Sequence, residues 1–175
     1  MSKDMTSKVV YPVNPVGSKI IVPFMGHYKN GTYRLGYGWH TGLDYVMLRA
    51  DKGLNEPIYA IADGIVLDSS PVLSKRGYGQ LVLIDHPQLG VQSRYAHLAS
   101  RAVRVGQVVK AGQVIGKMGT SGTDNVHLHF DVIKKSLPWS RWNIKGDSEK
   151  DKATNLQYFT DPVAFFAKHN AKGAV

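Results

Sequence analysis

The ten residues DNVHLHFDVI, Asp124 to Ile133, place two histidines two positions apart within a largely apolar run. Apolar and polar residues alternate here, which is the period of a β-strand that covers a core with one face. The apolar face would consist of Val126, Leu128, Phe130 and Val132. The opposite face would carry His127, His129, Asp131 and Ile133. Because side chains two residues apart lie roughly 6.6 Å apart along a strand, this face predicts either a solvated surface or a shared metal site, and the alternation does not say which histidine would bind the metal.

Short apolar or alternating runs, each bounded by Gly, Pro, Asn or Asp, continue through residues 42–133. Strands at this spacing predict a mainly β fold, an antiparallel sandwich or barrel-like core with long loops. The length of 175 residues suits a single domain, with its core at about residues 19–133. Residues 134–160 are polar and charged, and we expect an irregular segment there.

The segment TDPVAFFAKHN predicts a short closing helix over about residues 161–169. Asp161 suits the N-cap and Pro162 the first helical position. Val163, Phe166 and Ala167 lie three and four positions apart, so we expect the helix to dock by that face.

The chain contains no cysteine, which excludes disulfides and a thiolate-bound structural zinc site. A metal site therefore has to use His, Asp, Glu or water, and the seven histidines are the main candidates. We assign no metal to His27, His86 or His169, which we expect to lie in a loop, in a hairpin turn and after the last helix, respectively.

A second cluster, GWHTGLDY, contains His40 and Asp44. In a fully extended strand their α-carbons would lie about 13 Å apart, near the limit at which both side chains reach one ion. A bend at Thr41 and Gly42 would bring them together, since glycine permits it. The alternative is that Asp44 caps a turn before a strand, and this cluster alone does not decide between the two.

The third candidate is His97 in SRYAHLAS. The strand period would place His97 on one face with Ser93 and Tyr95, and Arg94 and Ala96 on the other. A histidine near a strand end can orient a water or a substrate oxygen. Alone, such a residue is more typical of a structural or exposed position.

The net charge of +9 favours anionic partners such as nucleic acid, anionic lipid or cell-wall polymer. The charges are dispersed and no zinc-finger, P-loop or RNA-recognition motif is present, so we expect no nucleic-acid partner. No apolar run has transmembrane length, and residues 1–20 lack the apolar core of a secretory signal. We therefore expect a protein made in the cytoplasm without a signal peptide and with no integral membrane segment.

Three motifs together resemble those of the lysostaphin/LytM-type zinc metallopeptidases: His40-x3-Asp44, Tyr95-Ala96-His97-Leu98 and His127-x-His129. The stretches EPIYAIADGIV, GYGQLVLIDHP and YAHLASRAVRVGQVVKAGQVIGKMGTSGTDNVHLHFDV also follow the family pattern. The resemblance covers about residues 36–133 and the Asp161-Pro162 start of the last helix. Residues 134–160 have no counterpart in it.

The resemblance implies one Zn²⁺ ion held by His40, Asp44 and His129, with His97 and His127 as the catalytic pair. Two histidines and one aspartate would leave the fourth position of a tetrahedral zinc site open, as catalysis requires. The chain has no His-Glu-x-x-His helix, so histidine has to supply the acid–base chemistry. Which of the catalytic pair is the base and which stabilises the oxyanion stays open.

Two departures from the family pattern concern the same strand. Asp131 stands where the family more often has Glu. We expect its side chain to face the histidines and to orient the metal ligands without binding the metal itself. The sequence TDNV replaces the usual Gly before the His-x-His pair, so the local turn is expected to differ.

The resemblance further implies hydrolysis of peptide bonds in peptidoglycan, either stem-peptide crosslinks or interpeptide bridges. Without a signal peptide, this activity is typical of a phage endolysin, made in the host cytoplasm and acting as a monomer in the periplasm or cell wall after release. Candidate groove residues are Tyr33, Tyr37, Trp139 and Trp142. The alternative is a non-catalytic LytM-type module that binds or activates a cell-wall amidase, although such modules usually lack the metal ligands that this chain keeps.

Overall fold

A computed structural model describes residues 7–27, 38–70, 77–134, 136–137, 146 and 148–174. The strands are, in chain order, β1 (Ser18–Val22), β2 (Leu43–Met47), β3 (Pro57–Tyr59), β4 (Gly64–Ser70), β5 (Leu81–His86), β6 (Val91–Ala96), β7 (Leu98–Arg101), β8 (Val108–Val109), β9 (Val114–Met118), β10 (Leu128–Ile133) and β11 (Phe159–Thr160). The helices are α1 (Glu149–Tyr158) and α2 (Pro162–Lys168).

The strands form two antiparallel sheets. The larger sheet has the order β1-β2-β10-β6-β5-β4-β8, with β11 paired to β10, and the smaller has the order β3-β9-β7. Among the described residues the larger sheet ends at β1 and β8, so it does not close into a barrel. The prediction of a mainly β, antiparallel fold with a short C-terminal helix is confirmed.

Strand β10 runs through the middle of the larger sheet, between β2 and β6. Its residues Leu128, Phe130 and Val132 are buried in the main core, together with side chains from the smaller sheet such as Ile58 and Ile115. All six residues of β10 are buried, so its opposite, polar face is not solvated. The two faces are the ones that the sequence alternation predicts, and the polar face needs buried partners.

The prediction of an irregular segment over residues 134–160 is wrong for its C-terminal part, which contains α1 and β11. Helix α1 begins after Ser148, whose side chain accepts from the backbone N–H of Asp151, while the Asp151 carboxylate accepts from the Ser148 N–H. This capping box stabilises the start of a helix that has little apolar patterning.

Helix α2 starts at Pro162 after the N-cap Asp161, as predicted. It docks by Phe165 and Phe166, whereas Val163 is half exposed. The expected docking face is therefore wrong in part, because the two adjacent phenylalanines contribute more apolar surface than the face with Val163 and Ala167. Within the described ranges the helices are α1 and α2, and neither is long and apolar enough to cross a membrane.

Candidate metal centre

Three side chains, His40, Asp44 and His129, converge at one point beside β2 and β10. His40 Nε2 lies 2.9 Å from His129 Nδ1 and 2.9 Å from Asp44 Oδ1. His129 Nδ1 lies 3.0 Å from the same Asp44 oxygen. The backbone places them together, because Asp44 and His129 are direct cross-strand partners and cross-strand partners face the same side of a sheet.

Glycine at position 42 allows His40 to join the pair. Gly42 lies at a bend between His40 and β2, and a Cβ there would overlap the backbone carbonyl of Phe130. Only glycine fits so close an approach. The bend folds His40 back onto Asp44, so the two side chains meet instead of pointing apart along an extended strand.

His40 and His129 each use one ring nitrogen in a hydrogen bond outside the cluster, and this bond determines which nitrogen faces the other ligands. His40 Nδ1 lies 3.2 Å from the Pro23 carbonyl oxygen, and His129 Nε2 lies 3.0 Å from Asp131 Oδ2. A carbonyl or carboxylate oxygen only accepts, so each of these nitrogens donates. His40 Nε2 and His129 Nδ1 are then available as ligands, which is the arrangement that metal-binding histidines commonly have.

The geometry fits a tetrahedral zinc ion. With ligand bonds of about 2.0 Å, the edges of a tetrahedron are about 3.3 Å long. The three edges observed here are 2.9, 2.9 and 3.0 Å, so small side-chain movements would bring all three atoms to bonding distance. Among the described residues, His40, Asp44 and His129 form the one group of His, Asp or Glu side chains close enough to hold a metal.

Asp131 connects this centre to a buried polar network that the sequence did not reveal. Its carboxylate accepts from Thr41 Oγ1 at 2.7 Å and from Arg94 Nε at 2.6 Å, in addition to His129. Arg94 also donates to the Tyr78 hydroxyl at 2.9 Å, and the Tyr78 ring lies 5.3 Å from the His129 ring. Asp131 and Arg94 are cross-strand partners on β10 and β6, so the strand pairing, once known, would have predicted their ion pair.

His97 lies on the opposite face from the one that the strand period predicts. It sits between β6 and β7 with a φ of 61°, and this left-handed conformation interrupts the alternation. Tyr95 stays in the main core, whereas the His97 ring turns to the site, 6.1 Å from the His129 ring. The expectation that His97 shares a face with Ser93 and Tyr95 is wrong for this reason.

His97 and His127 form a pair next to the metal centre. Their ring centroids are 4.5 Å apart, and His127 Nε2 lies 3.9 Å from Asp44 Oδ2. His97 Nδ1 donates to the Ser121 carbonyl at 2.8 Å, and His127 Nδ1 donates to the Asn125 carbonyl at 3.0 Å. Each ring therefore keeps an unprotonated Nε2, which can accept a proton or a hydrogen bond.

The pKa of His129 is shifted in the opposite direction from those of His97 and His127. Burial lowers the pKa of His97 to about 3, with a contribution from His127, and burial also lowers the pKa of His127. For His129, burial acts in the same direction, but Asp131 outweighs it and raises the pKa to about 9. His97 and His127 are therefore neutral at neutral pH, while a metal at His129 Nδ1 has to displace a proton.

The two carboxylates of the site remain ionised. Burial raises the pKa of the Asp44 carboxyl, but His40 and His129 outweigh burial and hold it well below its usual range. Burial acts likewise on Asp131, where Arg94 holds the pKa far below its usual range. An ionised Asp44 is the form that a zinc ion requires of a ligand.

The other three histidines are not part of this cluster, although the bridge between His27 and Trp39 places His27 close to His40. His86 is the last residue of β5, not a turn residue, and its ring bonds the Asp63 carbonyl and the Ser93 hydroxyl, both at 2.8 Å. His27 packs its ring on Trp39, and His169 caps the end of α2. The candidate groove residues Tyr33, Tyr37, Trp139 and Trp142 lie outside the described residues.

A profile of peptidase family M23 matches residues 38–141 of the chain. This range includes all five of the clustered side chains, from His40 to His129.

Two bacterial proteins illustrate the similarity to curated sequences. The lipoprotein NlpD/LppB homolog of Pseudomonas aeruginosa is 44% identical over 85 residues, which are 49% of this chain and 28% of the relative. The murein hydrolase activator NlpD of Escherichia coli is 40% identical over 104 residues, which are 59% of this chain and 25% of the relative. The matched region is thus about a quarter of the length of these relatives.

Two solved structures share the fold. The catalytic domain of lysostaphin, an antimicrobial peptidase from Staphylococcus simulans, superimposes with a TM-score of 0.62 and 26% identity over 85% of this chain and 92% of that domain. A zinc-containing peptidase from Vibrio cholerae superimposes with a TM-score of 0.56 and 28% identity over 75% of this chain and 41% of that protein.

The names of the curated sequence relatives contradict the cellular location expected from the sequence. The Pseudomonas relative is named as a lipoprotein, and lipid-modified proteins are anchored to membranes. The prediction of a protein made in the cytoplasm without a signal peptide is therefore wrong. The bacterial relatives also do not support the predicted phage endolysin.

Proposed function

The chain belongs to peptidase family M23, and we propose that it is a zinc-dependent endopeptidase that hydrolyses peptide bonds in peptidoglycan. One observation carries this proposal: two neutral histidines lie directly beside a triangle of three metal-ligating atoms. A non-catalytic protein has no need of both features in one place. The similarity to peptidases from Staphylococcus and Vibrio supports the same activity.

His40 Nε2, the Asp44 carboxylate and His129 Nδ1 would hold the ion, and Asp131 would keep the His129 ring in its ligating orientation. When bound, zinc supplies a Lewis acid that polarises the scissile carbonyl and makes the attacking water more acidic. His97 and His127 lie beside these three residues, with His127 Nε2 3.9 Å from Asp44 Oδ2 and the His97 ring 6.1 Å from the His129 ring.

His97 and His127 would carry out the proton transfers. A neutral imidazole with a free Nε2 can take the proton of the attacking water, and the resulting imidazolium can donate to the leaving amine. The second histidine of the pair can stabilise the charge that develops on the carbonyl oxygen. Hydrogen bonds from Nδ1 to the carbonyls of Ser121 and Asn125 hold both rings in place for these roles.

Peptidoglycan is the proposed substrate because the Escherichia coli relative is named a murein hydrolase activator. We place the protein in the cell envelope, where such a substrate is found. The chain's net charge of +9 would favour retention on anionic wall polymers.

A peptidoglycan zymogram of the zinc-loaded protein, run with and without a chelator, tests the proposal. A clearing band that disappears with chelator and returns with added zinc is the expected result. No band from folded, zinc-loaded protein would refute the endopeptidase function.

The curated relatives favour a second candidate, a module that activates a cell-wall amidase. The Escherichia coli relative is a murein hydrolase activator and is 40% identical over 104 residues. An amidase assay with the protein added separates the two functions. Stimulation that persists in chelator, and in a His97→Ala/His127→Ala double variant, would support the activator; hydrolysis without any amidase would support the endopeptidase.

A further inference from the structure

A groove of about 910 Å³ leads away from the candidate metal centre over the surface of β1 and β2. His127 and Asn125 line one end, and Lys19, Arg49 and Lys52 line the other. Ligand clefts commonly have volumes of about 300–1,000 Å³, so the groove is large enough for a peptide segment.

The strand register makes the groove continuous with the metal centre. Asp44, Val46 and Leu48 are two positions apart, along β2 and just past its end, so their side chains face the same side of the sheet. Lys19 on β1 is the cross-strand partner of Val46, and Val46 and Leu48 line the groove together with Ile21. A peptide whose reacting bond lies at Asp44 and His129 would therefore continue over this apolar floor.

Among the described residues, the far end of the groove has more basic than acidic side chains, with Lys19, Arg49 and Lys52 against Asp51 and Glu56. Asp51 and Glu56 are the acidic side chains there, and both bind Arg49, at 2.7 Å each. Lys19 and Lys52 are exposed, and within the described ranges neither forms an ion pair. Backbone bonds hold Lys52 in place, since its carbonyl accepts from Met47 N–H and its N–H donates to the Arg49 carbonyl.

The distance from the metal centre corresponds to a short peptide. Val46 lies about 6.6 Å beyond Asp44 along β2, and Lys19 lies a further strand spacing of roughly 5 Å to the side. An extended peptide rises about 3.3 Å per residue, so Lys19 would meet a side chain two or three residues from the reacting bond, and Lys52 lines the same groove.

We propose that Lys19 and Lys52 bind a carboxylate carried by the peptide two or three residues from the scissile bond, and so determine specificity for acidic peptides. The identification of this peptide as a substrate rests on the endopeptidase function proposed above. The apolar floor of Ile21, Val46 and Leu48 would pack against the intervening residues, and the lysines would select the charged one.

Muropeptide dimers with free carboxylates, and the same dimers converted to carboxamides, provide the test. We expect the zinc-loaded protein to show a KM for the carboxylate form about tenfold below that for the amide form. A Lys19→Gln/Lys52→Gln double variant should raise the KM of the carboxylate form about tenfold, leave kcat within about twofold, and leave the amide form unchanged. Added salt should reduce the difference.

Lys168→Gln is the matched control, because it removes one exposed charge on the opposite side of the larger sheet. Lys168 lies on helix α2, which packs through Phe166 on Phe130. Phe130 follows His129 on β10, so its side chain points to the opposite face of the sheet. This variant should bind and cleave both forms as the original protein does.

Calorimetric binding of the same dimers to chelator-treated protein separates the two proposals. If the protein cleaves both forms with equal KM and the lysine variants change nothing, the specificity proposal is overturned and the endopeptidase function stands. If no cleavage occurs but binding still prefers carboxylates and is lost in the double variant, the endopeptidase function fails and the groove assignment is retained. Equal binding of both forms overturns the groove assignment whatever the activity.

Discussion

Asp131 Oδ2 lies 3.0 Å from His129 Nε2, on the side of the ring opposite the nitrogen that faces Asp44. This single bond sets the orientation and the tautomer of His129. His127, two residues earlier, bonds the Asn125 carbonyl instead and does not join the triangle of metal-ligating atoms. The two histidines of the pair are therefore distinguished by their partners and not by their position on the strand.

Replacing Asp131 should weaken metal binding and also destabilise the fold. In Asp131→Asn the His129 ring loses its charged partner, and zinc affinity should fall about 10- to 100-fold. Arg94 is fully buried, and leaving it without its ion pair should cost about 3–5 kcal/mol of unfolding free energy. Competition with a chromophoric chelator measures the first effect and urea denaturation the second.

Thr41→Val is the control for this variant, because it removes one hydrogen bond to Asp131 and leaves both charges. It should lose about 1 kcal/mol and keep zinc affinity within about threefold. Equal zinc affinity in Asp131→Asn and the original protein would show that the carboxylate does not support the ligand.

The His-x-His pair should divide into one residue needed for metal and one needed for catalysis. His129→Ala should lose bound zinc, since it removes one of three ligating atoms. His127→Ala should retain zinc and lose at least about 100-fold in hydrolysis, the usual contribution of general acid–base catalysis. Metal content after gel filtration, measured alongside peptidoglycan hydrolysis, distinguishes the two.

His169→Ala serves as the matched control, because His169 lies at the end of α2, away from the site, and should behave as the original protein. Zinc retained at full occupancy by His129→Ala would refute the ligand assignment.

The strand alternation in DNVHLHFDVI was enough to predict the two faces of β10, because a buried strand has a fixed period of two. The same reasoning failed for His97, since a single left-handed residue reverses the faces after it. The ion pair between Arg94 and Asp131 was not predictable either, because it depends on the register between β6 and β10. Helix α1 did carry a signal, the capping box at Ser148 and Asp151, which the high charge of the segment obscured.

The left-handed conformation of His97 leads to a prediction about two substitutions at that position. His97→Asn and His97→Val both remove the imidazole, so both should lose hydrolysis. Asparagine tolerates positive φ, whereas a β-branched residue there is strained by about 1–2 kcal/mol. Urea denaturation should therefore show His97→Val to be less stable than His97→Asn by about that amount, and equal stability would mean that the backbone at this position relaxes freely.

The chelator-treated protein should lose stability as the pH rises from about 6.5 to 9. Burial opposes the charge on His129, but Asp131 outweighs it and raises the pKa to about 9, above the value of about 6.5 in an unfolded chain. A raised pKa means that the folded state binds the proton more tightly, so this contribution is complete below pH 6.5 and is lost as the pH passes 9. His97 and His127 have lowered pKa values, so they are neutral in both states over most of this range and add little to the change.

Zinc should reverse this dependence, because the ion and the proton compete for His129. The apparent zinc affinity should increase by up to about tenfold per pH unit until the pH approaches 9, where His129 is already deprotonated. Urea denaturation from pH 6.5 to 9.5, with chelator and with zinc, measures both trends. His129→Gln cannot be protonated, so its chelator-treated form should be nearly independent of pH across the same range. A chelator-treated original protein that is equally stable at pH 6.5 and pH 9 would show that Asp131 does not hold a proton on His129.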